Sequence, residues 1–159
     1  MMEKKVLLTI LSQQQFQQER PEKTKLVTEG TMSEEDGKVI LSYWESAITG
    51  LEGTKTSFVV ENDKVTLIRS GTVASKMTFV VGKEDRSLYD MGFGALLIAV
   101  RTEYIKASFH KHGGSLRVSY GISIEDETAG SIRYLIRAQV IEKAGNDDVF
   151  SQKDRAEAE

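Results

Sequence analysis

Apolar and polar positions alternate with a period of two along most of the chain, most plainly in Leu116-Arg117-Val118-Ser119-Tyr120-Gly121-Ile122-Ser123-Ile124. Such alternation puts every second side chain on one face and predicts strands with one buried side. The same reading places strands at Lys5–Ser12, Lys25–Ser33, Lys38–Ala47, Thr54–Val60, Lys64–Arg69, Ser75–Val81, Leu116–Glu125 and Ser131–Glu142. In Ser75–Val81 the residues Met77, Phe79 and Val81 share one face and Lys76 and Thr78 the other. Leu96–Phe109 is apolar at first and then alternates; a helix is the alternative there, but β-branched residues and the preceding Gly92-Phe93-Gly94 favour strand, bent or continuous.

Between these segments stand turn residues. Asp36-Gly37 supplies the two positive φ angles of a type I′ hairpin. Gly50-Leu51-Glu52-Gly53, Asn62-Asp63 and a tip at His112-Gly113-Gly114-Ser115 mark further reversals, and the polar stretch Gln13 to Glu22, which holds the single proline Pro21, reads as a loop. Consecutive strands joined by short turns cannot remain one open sheet without exposing edges. The expected fold is therefore all-β, an antiparallel up-and-down barrel of about 8–10 strands, with an interior that side chains fill or that holds one small ligand.

A length of 159 residues fits one such domain, expected over 1–143, followed by a polar, disordered tail at 144–159. The absence of cysteine excludes disulfides and thiolate chemistry and agrees with a cytoplasmic location. Lys4-Lys5 before Val6–Leu11 resembles a leader, but the apolar run is short and no small-residue cleavage site follows; no run approaches the ~18 apolar residues of a membrane helix. With 21 Lys and Arg against 24 Asp and Glu, the net charge is −3 and no basic block stands in the sequence. Neither nucleic acid nor membrane is expected as a partner.

Candidate chemistry resides in polar residues on apolar strand faces, because burying charge is costly unless it is compensated. Val39, Leu41, Tyr43 and Glu45 share one face, as do Val65, Leu67 and Arg69, so Glu45 and Arg69 can meet as a charge pair near one barrel end, with Thr54 and Thr56 adding hydrogen bonds. On one reading Arg69 grips an anionic head group while Met77, Phe79, Tyr120 and Tyr134 line an apolar cavity. On the other, the pair is a salt bridge closing the barrel. Trp44, on the opposite face from Glu45, is expected by default to plug a barrel end, the alternatives being to cover a groove or to contact a second subunit.

His110 and His112 alternate on a strand, but two rings without a third ligand predict no metal site. Neither has an identifiable serine or carboxylate partner, and neither glycine-rich segment opens a helix after a parallel strand, so no catalytic triad, phosphate loop or cofactor is expected.

Thr28-Glu29-Gly30, Leu41-Ser42-Tyr43-Trp44-Glu45, Thr49-Gly50-Leu51-Glu52-Gly53-Thr54-Lys55-Thr56, Arg69-Ser70-Gly71, Met77-Thr78-Phe79 and Gly113-Gly114-Ser115-Leu116 follow one another in an order that resembles the YwiB-like family. These are small bacterial domains of unknown function, and the resemblance spans about Val6 to Glu142, departing from the family pattern over Tyr89–Gly94. It implies a calycin-like barrel, related in shape to lipocalins and fatty-acid-binding proteins, from a Gram-positive type of bacterium, and it implies no activity. The expected role is a non-enzymatic binder of a small amphipathic or anionic ligand in the barrel. The alternative is a filled barrel acting through its surface, as a homodimer or an adaptor for a protein partner, with Ile141 or Val59 in the contact.

Overall fold

The computed structural model describes residues 3–16 and 19–141; the expected tail at 144–159 lies outside them. Ten strands follow one another: β1 (Lys4–Phe16), β2 (Glu22–Glu35), β3 (Lys38–Trp44), β4 (Thr54–Val60), β5 (Val65–Gly71), β6 (Ser75–Phe79), β7 (Glu84–Asp90), β8 (Ala95–His110), β9 (Gly113–Ile124) and β10 (Glu127–Val140). A single 3-10 turn, Ala47–Thr49, interrupts the β3–β4 connection. Each strand is antiparallel to its sequence neighbour, and β1 pairs with β10 from Val6 opposite Val140 to Phe16 opposite Gly130. The fold is thus the expected up-and-down barrel, with ten strands.

One seam is incomplete. Between β6 and β7 the backbone meets only at Ala74 and Asp90, whose N–H groups each donate to the other's carbonyl at 2.9 and 2.8 Å. Further along, the Asp85 carboxylate substitutes for a carbonyl by accepting from the Thr78 N–H at 2.9 Å. Gly82 N–H donates to Thr102 O at 2.9 Å just past the ends of these strands.

Local chemistry explains most of the pattern. Asp36 and Gly37 take φ of 50° and 79°, as the β2–β3 hairpin requires. Glu125 and Asp126, at φ 52° and 67°, turn β9 into β10 in the same way without a glycine. The strand expected at Thr54–Val60 stands unchanged.

Four stretches complete or alter the reading from sequence. Gln13–Phe16 are strand rather than loop, because β10 pairs with all four and β2 with Gln13 and Gln14: Gln13 lies opposite both Arg133 and Lys23. Ladder bonds to two neighbours outweigh weak local β-propensity. Glu84–Asp90 is a strand without an alternating apolar signal, its only large inward apolar side chain being Tyr89. Leu96–Phe109 belongs to one continuous strand, bulged where Thr102 and Tyr104 face Tyr120 and Ser119.

The fourth concerns the His112–Ser115 tip. The chain reverses at Lys111-His112, and Gly113 and Gly114 already lie in β9. Glycine is required there by closeness rather than by a turn: a Cβ on Gly113 would fall 2.0 Å from Ala138 O, and one on Gly114 2.1 Å from Ser108 O. β9 thereby approaches both neighbours more closely than any side chain would allow.

The interior divides into two halves. Toward the β2–β3, β4–β5 and β8–β9 turns, Val6, Leu8, Leu41, Phe58, Val65, Leu67, Leu116 and Ile136 pack at 1% exposure or less. Toward the other end, where the β3–β4, β7–β8 and β9–β10 connections lie, the barrel is hollow. A continuous row of rings separates the halves: Phe58 meets Tyr134 edge-on at 6.0 Å, Tyr134 stacks on Tyr120 at 6.4 Å, and Tyr120 meets Phe79 at 4.6 Å between centroids. These four rings form the plug that was expected of Trp44. That indole points outward at the end of β3, opposite Lys55, and is 63% exposed, because β3 turns its odd-numbered residues inward. Val81 is likewise exposed, beyond the end of β6.

Candidate functional site

Above the aromatic row lies a cavity of about 460 Å³ whose walls include Ile10, Met77, Ile98, Ile122 and Ile132. Ile48 and Thr49 of the 3-10 turn, with Leu51, stand at its mouth. Its chemistry comes from one level of the sheet, because Tyr43 lies opposite Thr56, Thr56 opposite Arg69, and Arg69 opposite Ser75. Four adjacent strands therefore present four polar side chains to the interior as a belt.

Glu45 closes the belt at the end of β3. It is buried, its Oε2 accepts from Thr56 Oγ1 at 2.6 Å and its Oε1 from Thr49 Oγ1 at 2.9 Å, so both oxygens are used by hydroxyls from β4 and the 3-10 turn. Glu45→Ala would leave the buried Thr56 hydroxyl without its acceptor, and unfolding free energy should fall by about 2 kcal/mol; Glu45→Gln, which keeps one oxygen, should lose under about 1 kcal/mol. Urea denaturation of the two variants checks the difference.

Arg69 differs. Across the described residues no carboxylate oxygen lies within 4.0 Å of it, and its Nε is a buried donor with no acceptor. The expected Glu45–Arg69 salt bridge does not form, because the threonines take the carboxylate. Burial works against the guanidinium's charge, yet Tyr134, Tyr89, Tyr120 and Tyr43 around it hold its pKa above the ordinary arginine value. That help depends on ionised tyrosine. Burial, reinforced by Glu45, pushes the Tyr43 phenol far up, and burial does the same for Tyr120. At neutral pH these two rings are therefore uncharged, and they offer hydroxyls rather than countercharge. The Ser75 hydroxyl directly opposite Arg69 is also buried without a partner.

Of the residues singled out in the sequence, Tyr43, Glu45, Arg69, Met77, Tyr120 and Tyr134 line this cavity. Thr56 stands behind Glu45 as its donor. Thr54 is fully buried, and its Oγ1 accepts from the Val73 N–H at 3.2 Å, a structural role at the end of the barrel. Phe79 sits beneath Tyr120 in the plug rather than on the cavity wall.

Sequence reasoning missed Gln14, Thr24 and Tyr89, which also line the cavity. Gln14 was hidden in a stretch read as loop and Tyr89 in a strand without periodicity. Ser75 could have been found from its position on the Met77 face. His110 and His112 lie exposed at the packed end, rings 6.1 Å apart, where the His112 N–H donates to His110 Nδ1 at 3.2 Å. Among the described residues no group of three metal-ligating side chains exists.

Residues 8–136 match the domain of unknown function DUF1934. The uncharacterized β-barrel protein YwiB of Bacillus subtilis is 31% identical over 100 residues, which cover 63% of this chain and 69% of that protein. The crystal structure of the YwiB protein from Bacillus subtilis superposes with a TM-score of 0.78 at 25% identity, over 87% of this chain and 92% of that one.

Proposed function

Because the chain belongs to the DUF1934 family, a barrel family whose name carries no activity, we propose from the lumen itself that it is a non-enzymatic binder of a small amphipathic anion. One observation carries this reading: Arg69 is a largely buried cation facing a cavity, without a carboxylate in contact and with its Nε lacking an acceptor. A charge in that setting is costly unless an anion compensates it.

A carboxylate or phosphate at the polar belt would accept from the Arg69 guanidinium, and from the Ser75 and Tyr43 hydroxyls beside it. The tail of such a ligand would lie against Met77, Ile98, Ile122 and Ile132, since a small concave site combines apolar walls with a few polar groups. The lack of catalysis is supported by Glu45, whose two oxygens are already held by threonines, and by the histidines' position at the far end of the barrel. A cytoplasmic location belongs to the same proposal and rests on the absence of cysteine.

Native mass spectrometry of protein purified from a bacterial host, compared with its denatured mass, tests the reading. A reproducible excess that is lost on denaturation and absent from Arg69→Ala is the expected result. A bare mass in the wild type, with no uptake of added fatty or aromatic carboxylates, would sink it.

A further inference from the structure

We propose that the outer face of β2, β1, β10, β9 and β8 is a docking surface for an acidic protein segment carrying an apolar anchor residue. This inference is independent of the lumen, because it uses the opposite side of the same strands. Register aligns the outward residues in rows. Lys25, Leu11, Leu135, Arg117 and Lys106 stand side by side across the five strands. In the row toward the open end Lys23, Arg133 and Tyr104 are aligned, and in the row on the other side Arg137 stands next to Thr9.

Six cations, Lys23, Lys25, Lys106, Arg117, Arg133 and Arg137, are thereby gathered and exposed on one face of a chain whose net charge is −3. None has a carboxylate oxygen within 4.0 Å among the described residues. The acids that border the patch are Glu103, beside Tyr104 in the β8 bulge, and Glu29, beyond Val27 on β2. The strand alternation that buries one face separates these cations in the sequence, which is why no basic block is visible there.

The centre of the patch decides the chemistry of its partner. Leu11 and Leu135, paired across β1 and β10, are half-buried and form part of a surface concavity of about 590 Å³ walled by Lys23, Arg117, Arg133 and Tyr104. An apolar centre inside a charged rim, rich in arginine with a tyrosine at its edge, is the anatomy of a protein interface. A nucleic-acid strand would find cations but only one exposed ring on which to stack a base, whereas stacking on several rings is the usual design. Charge complementarity then calls for carboxylates around the anchor, and the anchor for a leucine or phenylalanine side chain over Leu11 and Leu135.

Fluorescence anisotropy on the full chain tests the proposal with three labelled probes: a peptide alternating glutamate with leucine around a central phenylalanine, the same peptide with lysine for glutamate, and oligothymidylate. The acidic peptide should bind, weaken as salt is raised, and lose affinity at least roughly tenfold in Arg117→Glu/Arg133→Glu, with Lys76→Glu on β6 as an unaffected control. Arg117→Gln/Arg133→Gln provides the milder variant should the double reversal not fold. Failure of the acidic peptide to bind, equal loss in Lys76→Glu, or tighter binding of oligothymidylate would each overturn it, the last in favour of a nucleic-acid partner.

Discussion

Phe58→Ala should lower the free energy of unfolding by about 4 kcal/mol, out of a total of about 5–15 kcal/mol for a domain of this kind. Phe58 is 1% exposed, lies in the packed half, and its ring supports Tyr134 from below at 6.0 Å. Truncation removes its transfer free energy and leaves a void between rigid strands that cannot collapse, so both terms count. Ile132→Ala is the contrast. Ile132 is also buried, at 7% exposure, but it borders space already present, so its loss should cost only about 1–2 kcal/mol. Chemical denaturation of both variants measures the difference, which amounts to roughly 5–10 °C in Tm. Equal losses would mean that the barrel is packed alike at both ends, and the division into a filled and a hollow half would be wrong.

Arg69→Met should separate binding from stability. In ligand-free protein the guanidinium carries a desolvation cost that no ion pair in contact offsets, and methionine follows much of the same volume without it. Stability of the stripped variant should therefore hold or rise by about 1 kcal/mol, as replacement of buried charge by apolar groups often does. Affinity for an anionic ligand should fall roughly 100-fold, the loss of a charge-assisted contact of about 3 kcal/mol. Thermal unfolding of stripped protein and titration with the ligand recovered from the wild type give the two numbers. A stability loss of about 2 kcal/mol or more would make Arg69 a structural residue of the barrel, and the argument for an anion would fail with it.

The different fates of Glu45 and Arg69 show why a site half legible in sequence still needs coordinates. The alternation Leu41-Ser42-Tyr43-Trp44-Glu45 places Tyr43 and Glu45 on one face with Leu41, and Val65-Thr66-Leu67-Ile68-Arg69 places Arg69 with Val65 and Leu67. That much is local, since side-chain direction along a strand has a period of two. Whether the two charges touch depends on strand register and on competing donors. Thr49 and Thr56 won the carboxylate, the first from a 3-10 turn that no periodicity announced. Gln14 and Tyr89 were invisible for a related reason: their strands are held by neighbours on the sheet and by closure of the barrel rather than by their own residues.

The all-β class, the sequential antiparallel order of strands, the Asp36-Gly37 hairpin and which residues of β3, β5 and β6 share a face are legible in the sequence, because they follow from short-range rules of alternation and turn conformation. Which face is inner, that aromatic rings partition the barrel, that no carboxylate among the described residues meets Arg69, and that cations spaced along five strands form one outer patch emerge only in three dimensions. Those properties are distances between residues remote in the chain, and the shear and closure of the sheet set them.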